Sequence, residues 1–154
     1  MESGLAEIDG GALAWESAGE GPDVVFLHPG LWDSRVWDQQ FGVFSKTYHV
    51  VRYDLRGYGR SSRPEPGKSY SHVDDLEGLM NAAGVDRAAL VGNSMGGRVA
   101  IDFALAHPGR QARLEDLERS AQARKRIPDL VRHDRRELSE LRECLLLPQA
   151  RLGC

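Results

Sequence analysis

The stretch Ala89-Leu90-Val91-Gly92-Asn93-Ser94-Met95-Gly96-Gly97 constrains this chain more than any other. Leu90 and Val91 close a short apolar run that reads as the end of a buried strand, and Arg98 to Ala106 carries Val99, Ala100, Phe103 and Ala104 at helical spacing. The turn between them is so short that neighbouring backbone must pass where a β-carbon would sit, which calls for glycine at 92 and 96. A strand feeding a helix through such a turn holds Ser94 at a strained tip, hydroxyl outward, with the positive end of the next helix behind it. That is the geometry of a nucleophile elbow. A G-x-S-x-G string alone is weak evidence, since glycine and serine are common in any loop; the flanking strand and helix patterns give it weight.

Upstream, strands and helices alternate. Gly4 to Asp9 and Leu13 to Ser17, separated by Gly10-Gly11, predict a β-hairpin at a sheet edge. Asp23 to Leu27 is a continuous apolar run, as expected of a strand buried on both faces. It leads into His28-Pro29-Gly30-Leu31-Trp32, after which Asp33 or Ser34 can cap a helix through Val36, Trp37, Phe41 and Phe44. Tyr48 to Asp54 predicts another buried strand, followed by a glycine-broken loop from Leu55 to Ser62. His72 to Ala83 has Val73, Leu76, Leu79, Met80 and Ala83 at helical spacing, with Gly84 placed to end the helix. Such alternation builds a parallel sheet covered on both faces, whose site lies at the carboxyl ends of the strands, where His28, Asp54 to Ser62 and Ser94 all fall.

Composition divides the 154 residues near Gly109. Residues 1–109 hold 16 of the 17 glycines and all 11 aromatics, with 15 acids against 9 bases, whereas 110–154 carry one glycine, no aromatic and 11 bases against 8 acids. The sign of the charge reverses, so two segments are expected: a core over 1–109 and a charged helical tail over 110–154, weakly ordered because its apolar stripes are narrow. A formal net charge of -3 gives no electrostatic reason for a nucleic-acid or anionic-membrane partner. Glu2, Glu7, Asp9, Glu16 and Glu20 argue against a secretory signal, and no apolar run is long enough to span a bilayer, so a cytoplasmic protein is expected. Cys144 and Cys154 lack metal-ligand spacing and read as free thiols; neither a metal nor a cofactor is expected.

Three segments together, L-H-P-G-L-W-D-S-R-V-W from Leu27, Y-D-L-R-G-Y-G-R-S-S from Tyr53 and V-G-N-S-M-G-G-R-V-A-I-D-F-A-L-A-H-P from Val91, resemble the N-terminal half of an α/β-hydrolase fold enzyme over residues 5–110. The resemblance implies a partial α/β-hydrolase fold: a mostly parallel sheet, an N-terminal antiparallel hairpin and helices on both faces. It implies Ser94 as nucleophile and the Met95 backbone N–H as one oxyanion-hole donor. Where family members often have His-Gly, this chain has His28-Pro29; proline has no N–H, so Gly30, with Leu31 as the alternative, is expected to supply the second donor. His28, Asp54 and Arg56 read as loop scaffolding. Dehalogenases of this fold place Asp at the elbow, and Ser94 excludes that chemistry, leaving esterases, lactonases, C–C bond hydrolases and cofactor-free perhydrolases, all acting on small-molecule acyl or related substrates.

In this fold the triad acid and His follow the serine from loops after later strands. Beyond His107-Pro108 the family pattern calls for a strand, and the sequence offers Gln111-Ala112-Arg113-Leu114-Glu115-Asp116-Leu117. His133, with Asp129 one helical turn earlier, is the candidate base and orienting acid in the tail. The expectation is a serine hydrolase by descent, its Ser94 elbow and oxyanion hole intact but its site incomplete because the family's acid and His are not recognisable, in truncated, spliced or frame-shifted form. The alternative is a non-catalytic binding or interaction protein built on the same half-fold. An unpaired edge beside the elbow strand predicts self-association.

Overall fold

The computed structural model describes residues 1–112. His133, Asp129, the tail helices, Cys144 and Cys154 lie outside the described residues.

The first strands form a hairpin, β1 (Glu2–Ile8) and β2 (Gly11–Ala18), paired antiparallel with Ile8 opposite Gly11. The Asp9-Gly10 turn closes it because Gly10 takes φ +75°, a conformation side-chain-bearing residues avoid. Then come β3 (Asp23–Leu27), a 3₁₀ turn (Ser34–Trp37), α1 (Asp38–Phe44) and β4 (His49–Tyr53). They are followed by α2 (His72–Ala82), β5 (Ala88–Gly92), α3 (Met95–Ala106) and a last 3₁₀ turn (Pro108–Arg110). Asp33 caps the first 3₁₀ turn by accepting the Arg35 N–H, and Ser71 caps α2 by accepting the Asp74 N–H.

The strands lie in the order β1-β2-β4-β3-β5. The sheet is mixed: β3 runs parallel to β4 and β5, and β2 runs antiparallel to both β1 and β4. Alternate residues of β3 feed two cores. Val25 and Leu27 join Leu76, Leu79 and Met80 of α2 and Val99 and Phe103 of α3 on one face. Val24 and Phe26 meet Phe41 of α1 on the other, with the Phe26 ring stacked on Trp37 at 5.0 Å. Helices therefore cover both faces, as the alternation of strand and helix patterns requires.

Two details differ from the sequence expectation. The last helix begins at Met95, three residues before Arg98, because Gly96 and Gly97, poor helix formers in isolation, are taken into its first turn. Gln111 forms a parallel bridge with Ala88, and the Ala112 N–H donates to the Ala88 carbonyl at 2.9 Å. The chain thus returns to the outer edge of β5 where the pattern had shown no strand. Ala112 packs against the second core, so packing continues past residue 109. Among the described residues no helix is long and apolar enough to cross a membrane.

Candidate active site

The connection from β5 to α3 is as tight as its glycines imply. A β-carbon on Gly92 would collide with the backbone of Gly96, and one on Gly96 would stand 2.5 Å from the Leu27 carbonyl carbon and 2.7 Å from the His28 carbonyl oxygen. The elbow is therefore pressed against the end of β3, and the Asn93 N–H fastens it there by donating to the Leu27 carbonyl at 3.2 Å. Ser94 is exposed and takes φ 52°, ψ −112°. Met95 opens α3, so the helix offers its N–H no carbonyl partner. The N–H groups of Gly96 and Arg98 are satisfied by the carbonyls of Asn93 and Ser94, each at 3.0 Å.

Facing the elbow is the loop after β3. His28 is fully buried; its Nε2 accepts the Leu55 N–H at 2.9 Å and its Nδ1 lies 2.8 Å from the Pro29 carbonyl. A methyl on Gly30 would lie 3.7 Å from Tyr58 Oη, 3.8 Å from Met95 Sδ and 4.0 Å from Met95 Cβ. A side chain at position 30 would thus touch Met95, which makes the residues carrying the two expected oxyanion donors, Gly30 and Met95, close neighbours. Leu31, the alternative donor, follows at φ 71° with its side chain 95% exposed. Among the described residues, Leu31 and Ser94 are the non-glycine residues at positive φ, one in each loop. Backbone strain of this kind collects where a site is built.

A third loop, after β4, buttresses both. Asp54 Oδ1 accepts the Ser34 N–H at 2.9 Å and its Oδ2 accepts the Arg60 N–H at 2.9 Å. Burial alone would raise its pKa, but these hydrogen bonds outweigh burial and hold the carboxyl below its ordinary value. Arg56 makes a two-pronged ion pair with Asp75 of α2, at 2.6 and 2.9 Å, and donates to the carbonyls of Asp9 and Gly10 in the hairpin. Ser61 Oγ accepts the Ala14 N–H and donates to the Asp54 carbonyl. Asp54 and Arg56 are scaffolding, as the sequence indicated. Tyr58 and Asp75 carried no such reading. Asp75 had one legible signal: a carboxylate on the apolar stripe of α2 beside Leu76 and Leu79 needs a buried cation, and Arg56 is that cation.

Among the described residues nothing is hydrogen-bonded to the Ser94 hydroxyl. His49 pairs with Asp23 at 2.6 Å at the start of the parallel strands, the end of the sheet away from Ser94, and His107 lies 3.4 Å from Glu77 beyond α3. No group of three or more His, Cys, Asp or Glu is placed to hold a metal among the described residues.

A sheet parallel across β4, β3 and β5, with a strained serine between its last parallel strand and the following helix, defines a class, and the comparisons agree with it. Residues 23–114 match the family model described as alpha/beta hydrolase fold, and the chain belongs to that family. It is 39% identical over 107 residues to epoxide hydrolase 2 of Siraitia grosvenorii, covering 66% of this chain and 33% of that one. It is 35% identical over 119 residues to the 2-hydroxy-6-oxononadienedioate/2-hydroxy-6-oxononatrienedioate hydrolase of Comamonas testosteroni, covering 73% and 41%. Among solved structures it resembles that of Est816, described as an N-acyl homoserine lactone degrading enzyme, with 41% identity, a TM-score of 0.65 and coverage of 70% and 42%. The chain spans roughly two fifths or less of the length of these curated relatives.

Proposed function

We propose that this protein hydrolyses small acyl compounds, esters or lactones, through an acyl-enzyme at Ser94. The observation that carries this reading is Ser94 itself, exposed at positive φ on the elbow, with Gly30 and Met95 facing each other beside it. Ser94 Oγ attacks the substrate carbonyl; the carbonyl oxygen becomes an oxyanion held by the Met95 and Gly30 N–H groups. Collapse breaks the bond to the alcohol, which leaves with a proton, and water then cleaves the acyl-serine. An epoxide, named for one relative, fits this site poorly. A serine that opened one would form an alkyl ether, which water does not cleave and which places no oxyanion before the two donors.

The attack needs a base to take the serine proton. The described residues offer none; among the residues outside them, His133 with Asp129 four residues earlier is the candidate pair, and the His133→Ala variant tests it.

The test is hydrolysis of p-nitrophenyl acetate, with intact-mass detection of an acetyl adduct, by the full chain beside Ser94→Ala and His133→Ala at matched purity. The expected result is an adduct and turnover in the wild type, and neither in Ser94→Ala. Turnover that survives Ser94→Ala overturns the reading. Loss in His133→Ala assigns the base; an unchanged rate there removes His133 from the site. Slow turnover alone proves no triad, because an oxyanion hole and binding retain about 10³ to 10⁴-fold over water.

A further inference from the structure

We propose that His28 is a positioning residue for this reaction: its buried imidazole sets the direction in which the Gly30 N–H points. The inference rests on the serine-hydrolase reading above. The Leu55 N–H can only donate, so His28 Nε2, 2.9 Å away, is the unprotonated nitrogen of the ring. The ring proton is then on Nδ1 and goes to the Pro29 carbonyl at 2.8 Å.

The Pro29 carbonyl and the Gly30 N–H are the two ends of one peptide group. That group is planar and trans, with no cis bond among the described residues, so its C=O and N–H point in opposite directions. Drawing the Pro29 oxygen toward the imidazole therefore turns the Gly30 hydrogen away from it. Rotation of that peptide plane would cost the oxyanion one of its two donors.

The ring is itself held on two sides, by Leu55 through Nε2 and by the Tyr58 ring, edge-on at 5.3 Å and 72°. Little else restrains the loop. Among the described residues, Pro29 to Trp32 make no other hydrogen bond, and Leu31 is strained at φ 71° with its side chain in solvent. The two nitrogens thus do separable things: Nε2 anchors the ring to the β4 loop, and Nδ1 aims the peptide.

Two variants separate them. In His28→Asn the side-chain amide nitrogen reaches the place of Nδ1 and keeps the bond to Pro29, whereas in His28→Gln the amide oxygen reaches the place of Nε2 and keeps the bond from Leu55. With p-nitrophenyl acetate, His28→Gln is expected to lose about 10²-fold in kcat at unchanged KM, the order of one lost oxyanion donor. His28→Asn recovers most of that rate while unfolding at lower urea than His28→Gln. Rates that follow stability instead, or equal rates in the two variants, overturn the inference and leave the hydrolase reading standing. Wild type that is never acetylated overturns the hydrolase reading and the aiming role with it. Long-range ¹H–¹⁵N spectra of the wild-type imidazole decide the clamp without activity: a proton on Nδ1 is expected, and a proton on Nε2 overturns it.

Discussion

Ser94 is held at φ 52°, ψ −112° by its surroundings and not by its own preference, since a β-carbon there strains the backbone. Such a residue costs on the order of 1–3 kcal/mol. Glycine would adopt the same angles freely, at an entropic loss of about 0.5–1 kcal/mol. Ser94→Gly is therefore expected to be about 1 kcal/mol more stable than Ser94→Ala, which keeps the strain. Both variants lack the hydroxyl, so the comparison in urea isolates the backbone; a lower midpoint for Ser94→Gly than for Ser94→Ala would show that the elbow is unstrained. The serine and its glycines were legible because each glycine marks a collision that any strand-to-helix turn this short imposes. Leu31 was not, because nothing in an exposed leucine announces a positive φ. The imidazole clamp was equally hidden: His28, Leu55 and Tyr58 meet only once β3 and β4 lie side by side.

At the level of elements, Arg56 and Asp75 tie three parts of the fold together: the β4 loop, α2 and, through the carbonyls of Asp9 and Gly10, the hairpin. Both side chains are 4% exposed, so neither charge has water to fall back on. Removing one partner leaves the other buried and unpaired, and Asp75→Ala is expected to cost about 3–5 kcal/mol. Replacing both, Arg56→Met with Asp75→Leu, removes the two desolvation penalties together and should recover most of that loss. A double-mutant cycle in urea checks this; a double variant as unstable as Asp75→Ala would show that packing, not the stranded charge, sets the cost. The pair also marks how far sequence reasoning reaches. Strands and helices were readable from runs such as Asp23 to Leu27 and His72 to Ala83, because burial imposes periodicity. The start of α3 was misplaced because tertiary contact overrides the low helix propensity of Gly96 and Gly97. The bridge from Gln111 to Ala88 was missed because one hydrogen-bonded residue leaves no periodic trace.

For the whole molecule, acid should act in two stages. Burial holds His72 below its ordinary pKa; Asp75 opposes this, while Arg56 and His28 reinforce it. The unfolded chain then binds a proton at His72 first, as pH falls below about 6.5, so stability declines there and levels off below the folded value. Asp54 has the same sign lower down. Burial pushes its carboxyl up, but the hydrogen bonds from Ser34 and Arg60 bring the folded pKa below the unfolded one. Its contribution is complete above the unfolded value of about 3.9 and drains as pH falls through the folded one. Asp33, drawn down to about 2 chiefly by its hydrogen bond from Arg35, adds to this lower stage. Urea midpoints followed from neutral pH into acid should therefore fall first below about 6.5 and again below about 4. His72→Gln removes the first decline, and Asp54→Asn shrinks only the second. The second decline also has a local consequence, because the Asp54 carboxylate positions Ser34 and Arg60 around the loops that flank Ser94. Hydrogen exchange at the Ser34 and Arg60 amides should thus rise, relative to β3 and β4, before global unfolding. Loss of protection in all of these at the same pH would mean the site loops and the sheet unfold as one unit.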